Sequence, residues 1–161
     1  MATITFRGVD TYIGKLALLR DHSDVAIKNA VYAGASIVAD EIRYEINQIP
    51  IVRNQKATPD NQIDGVTRAQ KKGLQDGFGI SKFGNDRGFI NVKLGFDGYN
   101  KTRTKKYPMG QPNALIARSV NSGTSFRRKR RFVDKAVNTS RKNALNKMSS
   151  VLDDEIKKIM K

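Results

Sequence analysis

Apolar positions return at helical spacing in two long stretches of the chain. Toward the C-terminus, Val133, Val137, Ala144, Leu145, Met148, Leu152, Ile156 and Ile159 recur mostly at steps of three, four and seven, one face of a 3.6-residue period. Lys135, Lys142, Lys147, Asp153, Asp154 and Lys157 fall off that face. Arg141 projects onto it, with a stem long enough to carry its charge outward. Neither Gly nor Pro interrupts the stretch from Lys135 to Met160, so nothing breaks the helix. Lys157, Lys158 and Lys161 suit the negative end of its dipole.

The second line is Ile27, Val31, Gly34, Val38, Ile42, Ile46 and Ile49. Ser23 or Asp24 is the expected N-cap. Pro50 is the expected stop, because the residue before a proline resists the α region. Ala30, Ala33, Gly34, Ala35 and Ala39 are small, so another backbone is expected to lie close. Asn29, Ser36, Asp40, Arg43 and Asn47 mark the solvated side, with Glu41 and Glu45 along the edge of the apolar line.

Other stretches alternate with a period of two, as strands do. Thr3-Ile4-Thr5-Phe6 predicts a half-buried strand. Gly8 and Asp10 then predict a turn, and Tyr12, Ile13, Leu16 and Leu19 a short helical face ending near Asp21. Residues 73–99 read as β structure. Gly77-Phe78-Gly79-Ile80 and Phe89 to Phe96 form a hairpin around Asn85-Asp86-Arg87-Gly88. Between 50 and 72 lie polar turn formers, Asn54-Gln55-Lys56, Pro59-Asp60-Asn61 and Asp64-Gly65. That loop is expected to be mobile or to order on assembly. After the hairpin come a basic loop, Lys101 to Lys106, then Pro108 and Pro112. A short apolar segment, Ala114 to Ala117, and a turn, Asn121-Ser122-Gly123-Thr124, precede the last helix. Strands and helices are segregated, which predicts an α+β fold: a small antiparallel sheet packed against a long helix, with a C-terminal amphipathic helix, in one domain over 1–161.

Charge changes this picture more than size does. The net charge of the 161 residues is +15. Residues 1–65 hold 7 Lys/Arg against 8 Asp/Glu, and residues 66–161 hold 23 against 7. The whole excess therefore sits in the second part, which points to a polyanion or an acidic protein partner there. Apolar residues make up 39%, low enough that part of the chain is expected to order only against neighbours. The absence of Cys rules out disulfides and thiolate metal sites. The start of the chain lacks the apolar core of a signal peptide, and no apolar run approaches the length that spans a bilayer.

Catalytic patterns are missing. The one His, His22, sits in a polar stretch, and one His without Cys builds no ordinary transition-metal site. Glu41 and Glu45 share a helix face, but a helix edge reaching water or a basic neighbour explains them. Gly73, Gly77, Gly79, Gly84 and Gly88 are dense, yet no Lys-Ser or Lys-Thr follows them as a phosphate loop requires. No nucleophile elbow is present. Neither catalytic, metal-binding nor cofactor-binding residues are expected. The candidate surface is basic: Arg127, Arg128, Lys129, Arg130 and Arg131 between Phe126 and Phe132, joined by Lys101, Arg103, Lys105 and Lys106. These side chains are expected to meet phosphates, acidic residues of an adjoining subunit, or water. No helix-turn-helix or zinc pattern accompanies them.

Four stretches also carry a resemblance. Ile4-Thr5-Phe6-Arg7-Gly8-Val9-Asp10 resembles an opening strand with its turn, and Val31 to Ile42 an Ala-rich long helix. Ala114 to Thr124 resembles a segment ending in a Gly-Thr turn, and Arg131-Phe132-Val133-Asp134-Lys135-Ala136-Val137 the stretch before a terminal helix. In that order they resemble the neck or tail-completion family of long-tailed bacteriophages. Two positions depart from the family: Arg131 stands where Pro is usual, and Thr67 to Leu74 replaces its Thr-Gly-x-Leu-Arg-x-Ser pattern. The resemblance implies a non-enzymatic virion protein at the neck, working as copies in a ring and assembled in the host cytoplasm. It would complete the tail end or connect it to the head. Its neighbours would be head-closure and tail-terminator or tail-tube proteins, with passing DNA close by and no membrane. The alternative is a nucleic-acid-binding accessory protein acting through the basic second half.

Overall fold

The structure, a computed structural model, describes residues 9–53, 58 and 60–161, the first four of them by backbone alone. The strand expected at Thr3–Phe6 and the turn at Gly8 lie outside the described residues, as do residues 54–57 and 59 of the loop expected to be mobile. The fold is mixed α+β, as the segregated pattern predicts.

Helix α1 runs from Val9 to Gln48 without a break, 40 residues or about 60 Å. Three expectations fail here. The short helical face does not end near Asp21 but runs on as the same helix. Asp10 belongs to the helix rather than to a turn, and Ser23 and Asp24 lie in its interior rather than at an N-cap. The Ser23 hydroxyl donates to the Arg20 carbonyl one turn back (2.9 Å). The polar run Asp21-His22-Ser23-Asp24 reads as an interruption, but it contains neither Gly nor Pro. A helix that buries one narrow stripe tolerates polar residues elsewhere on its circumference. The helix stops before Pro50, as expected.

Helix α4 spans Phe132–Met160 and packs along α1 in the opposite direction. Lys15 Nζ donates to the Met160 carbonyl (2.7 Å), Gly34 faces Met148 and Ala144, and Glu45 pairs with Lys135 (2.6 Å). These three cross-links fix an antiparallel two-helix stem. A Cβ on Gly34 would fall on Met148 Cγ, which is the close approach that the small residues predict. The buried line of α4 is Phe132, Ala136, Ser140 and Ala144. It is rotated from the expected face, for Val137 and Leu145 are exposed. Arg141 is exposed with them.

The body sits at the Gln48 end of the stem. Helix α2 spans Arg68–Gly77 and helix α3 spans Asn113–Ser122. The loop expected over 50–72 therefore ends at Thr67, residues 73–77 are helical rather than β, and the apolar segment 114–117 is part of a helix. Thr67 and Gln70 form a reciprocal capping box, which satisfies two donors at the α2 start. What remains of the loop is tied at both ends. Val66 N–H donates to the Pro50 carbonyl (3.0 Å), Val52 N–H to Val66 (2.9 Å) and Ile63 N–H to Phe126 (2.9 Å).

The hairpin is built from β1 (Phe78–Ile80), β2 (Gly84–Asp86), β3 (Phe89–Asn91) and β4 (Leu94–Phe96). β1 pairs antiparallel with β4, Phe78 opposite Phe96, and β2 with β3, Gly84 opposite Asn91. Three residues, 81–83, thus face two, 92–93. This extra residue is a bulge that separates two short ladders. Arg87 and Gly88 both have positive φ (53° and 90°), the pattern of the tight turn that suits hairpin twist. The displaced Phe83 reaches Tyr32 of α1, ring centres 6.1 Å apart.

The core joins Ala39, Ile42, Ile46 and Ile49 of α1 to Val66, Leu74, Phe78, Ile116, Val120 and Phe132. Phe96 bridges Phe78 (5.1 Å) and Phe132 (6.1 Å). Ala39 and Ile46 lie on one heptad line, which continues back along α1 as Tyr32, Val25 and Leu18. From Tyr32 back, that line opens to solvent among the described residues, with Tyr32, Val25 and Leu18 about half exposed.

Candidate functional site

The basic run 127–131 is a linker pressed between α3 and α4, and its five cations have different fates. Backbone bonds hold it on both sides. Arg128 N–H donates to Ile63 (2.9 Å), Arg130 N–H to Val120 (2.9 Å) and Arg131 N–H to Asn121 (3.1 Å). Arg127 is turned inward and only 5% exposed. One of its nitrogens, Nη2, donates to Gln70 Oε1 (3.3 Å), while Nε and Nη1 find no partner among the described residues. Burial pushes its pKa down, because desolvation penalises the charged form. Arg130 is spent on Asp64 (2.7 Å). Arg128, Lys129 and Arg131 face solvent. Of the two flanking rings, Phe132 is buried and Phe126 is exposed.

Arg131 starts α4 at φ 49°, in the left-handed region. Proline holds φ near −65°, so this backbone is closed to the residue that the resembling family carries here. The Asn121 side-chain carbonyl takes over the capping role, accepting from Val133 N–H (3.0 Å).

The second basic loop is a closed finger, Tyr99–Pro112, pinned at its root by the bridge between those two residues. Asn100 N–H donates to Gln111 (2.9 Å), Gln111 N–H to Thr102 (3.0 Å), and Thr104 and Tyr107 exchange both bonds (3.1 and 3.0 Å). Asn100 Oδ1 accepts from Thr102 N–H (2.9 Å). Gly110, at φ 120°, lets the return arm lie against the Asn100 carbonyl, where any Cβ would collide. Lys101, Arg103, Lys105 and Lys106 are all exposed. Tyr99 and Met109 beside them are exposed by 70% and 86%.

Gln70 ties the two basic elements together. It accepts from Arg127, and its Nε2 donates to Gln111 Oε1 of the finger (2.7 Å). The roots of finger and linker therefore adjoin, although no hydrogen bond or ion pair joins their exposed cations among the described residues. A cleft of about 560 Å³ opens at the finger root, lined among others by Arg68, Lys72, Asp76, Tyr99 and Lys101. Sequence reading missed Gln70 and the cleft. Thr67-x-x-Gln70 is a capping-box spacing and was the one available signal; the cleft depends on a helix that the sequence hides.

Of the two carboxylates that share a face on α1, Glu45 is held by a cation, while Glu41 makes no ion pair among the described residues; Asp40 lies off that face. Glu45 is buried against Lys135 (2.6 Å), and Asp40 pairs with Arg43 (2.8 Å). Among the described residues no three acidic or histidine side chains gather as metal ligands. No helix among them is long and apolar enough to cross a membrane. Comparisons with protein-family models, with curated proteins and with solved structures found no match.

Proposed function

We propose that the chain is a structural subunit of a phage neck, completing the tail end or connecting tail to head as one copy in a ring. The observation that carries this reading is the uncovered line on the stem. Leu18 and Val25 continue the buried heptad line of Ala39 and Ile46 into solvent, and Ile13, Leu16 and Leu145 are also exposed. A subunit that leaves such surface uncovered is suited to bury it against neighbours. The order of the four resembling stretches supports the same reading, and a ring would make the contacts heterologous and closed. Electron microscopy of lysates from a phage with this gene disrupted tests it. Full heads beside separate tails, or tails of abnormal length, are expected. Normally joined, infectious particles would overturn it.

A second reading, a nucleic-acid-binding accessory, is favoured by one observation. No Asp or Glu occurs between Asp97 and Asp134, a stretch that holds the finger and the whole basic linker.

A further inference from the structure

We infer that the finger Tyr99–Pro112 is a contact for the phosphate backbone of duplex DNA, with Lys101, Arg103, Lys105 and Lys106 as its cations. The linker 127–131 has more charge in sequence, but the fold withdraws part of it. Arg127 is buried on Gln70 and Arg130 is neutralised by Asp64. None of the four finger cations has an ion-pair partner among the described residues, and all four are exposed.

Geometry favours a polyanion with regularly spaced charge. Asn100, Thr102 and Thr104 make the backbone bonds to the return arm; Lys101 and Arg103 alternate with them, and Lys105 and Lys106 sit in the turn that Thr104 and Tyr107 close. In extended chain, alternate residues lie about 6.5 Å apart on one side. A duplex presents one negative charge for about every 1.7 Å of its axis, so a pair of cations on the arm and a pair at the turn find phosphates without a matched surface. Three of the four are lysines, which act as point charges and need no bidentate geometry from the anion they meet. An acidic protein surface would need carboxylates placed to match these positions, and is the less favoured partner on that ground. The finger is closed by its own backbone bonds before any ligand arrives, which removes much of the ordering cost of binding. Exposed Tyr99 and Met109 offer apolar surface beside the cations, of the kind that packs on sugars and base edges.

This inference does not depend on the neck reading, and its test is separate. Fluorescence anisotropy of the purified full chain with a labelled 20-base-pair duplex, run across a salt series, reads the number of phosphates engaged. Each one contributes about 0.9 to the slope of log affinity against log salt. Replacing Lys101, Arg103, Lys105 and Lys106 together by Ser is expected to flatten the slope by about 3 to 4 and weaken binding at least tenfold at low salt. Lys105→Ser alone should flatten it by about 1. A control that removes Arg141, Lys142, Lys147 and Lys157 from α4 changes net charge equally and should leave most of the slope. An equal loss in both variants would make binding a property of net charge and overturn the inference. So would a chain that ignores duplex but binds polyglutamate through the finger, which would assign the finger to an acidic protein.

Discussion

Arg127 is the residue whose role the fold most changes. Its guanidinium sits in the interior with two of its three nitrogens unpartnered among the described residues. Gln70 Oε1 keeps a second donor, Thr67 N–H at 3.1 Å, so losing the guanidinium does not orphan it. A buried charge replaced by an apolar side chain of similar length is often neutral or stabilising. Arg127→Met is therefore expected to leave the urea midpoint unchanged or to raise stability by about 1–2 kcal/mol. A fall of more than about 1 kcal/mol would show that the guanidinium itself holds the linker. Lys135 behaves differently. Its pKa is raised, first by its hydrogen bond to Glu45 and then by the charge of that carboxylate. A raised lysine contributes stability that is whole below its ordinary value of 10.5 and fades as pH climbs through the higher folded value. Lys135→Met should thus lower the unfolding temperature at pH 7 and change it much less at pH 11.5. A gap that stays constant across that range would remove the ion pair as its cause.

Among elements, the α1–α4 stem depends on closeness at Gly34. Gly34→Val should cost about 1–3 kcal/mol, since extra bulk in packed contacts forces strain. Adding Met148→Ala should recover much of that loss; no recovery would place the strain elsewhere. Thr67→Ala removes the α2 cap and should cost about 1 kcal/mol. Calorimetry of the variants checks both. The same elements show what the sequence made legible. α4 and the second half of α1 were readable because apolar residues repeat at helical steps with no breaker. The tight turn at Arg87-Gly88 was readable from its chemistry. The continuity of α1 was not, because a stem helix presents most of its surface to water and Asp21 to Asp24 look like an end. α2 was hidden as well. Its ten residues include two glycines and bury only Gln70, Gly73 and Leu74, and a capping box with one apolar anchor leaves no periodic trace. The burial of Arg127 was illegible for a different reason: a run of five cations reads as solvated, and only tertiary packing selects which one turns inward.

For the whole molecule, folding and assembly draw on different residues. Leu18 and Val25 are about half exposed, so replacing both by Gln should change stability by no more than about 0.5 kcal/mol. In a phage complementation assay, the same variant should fail to restore joined particles if the line is covered by neighbours. Full rescue would show that the line carries no assembly contact. The stem has a further consequence, in time rather than in space. Its two helices come from opposite ends of the sequence, and Lys15 takes its partner carbonyl from Met160. At about 5–20 residues per second, roughly 4–17 s of translation separate the last turn of α1 from the first turn of α4. Through that interval the ribosome holds out a helix whose mate does not yet exist. A stall in the stretch between them yields a fragment with its sticky side bare. The pace of the message, as much as its content, then decides how much of this protein survives to be assembled.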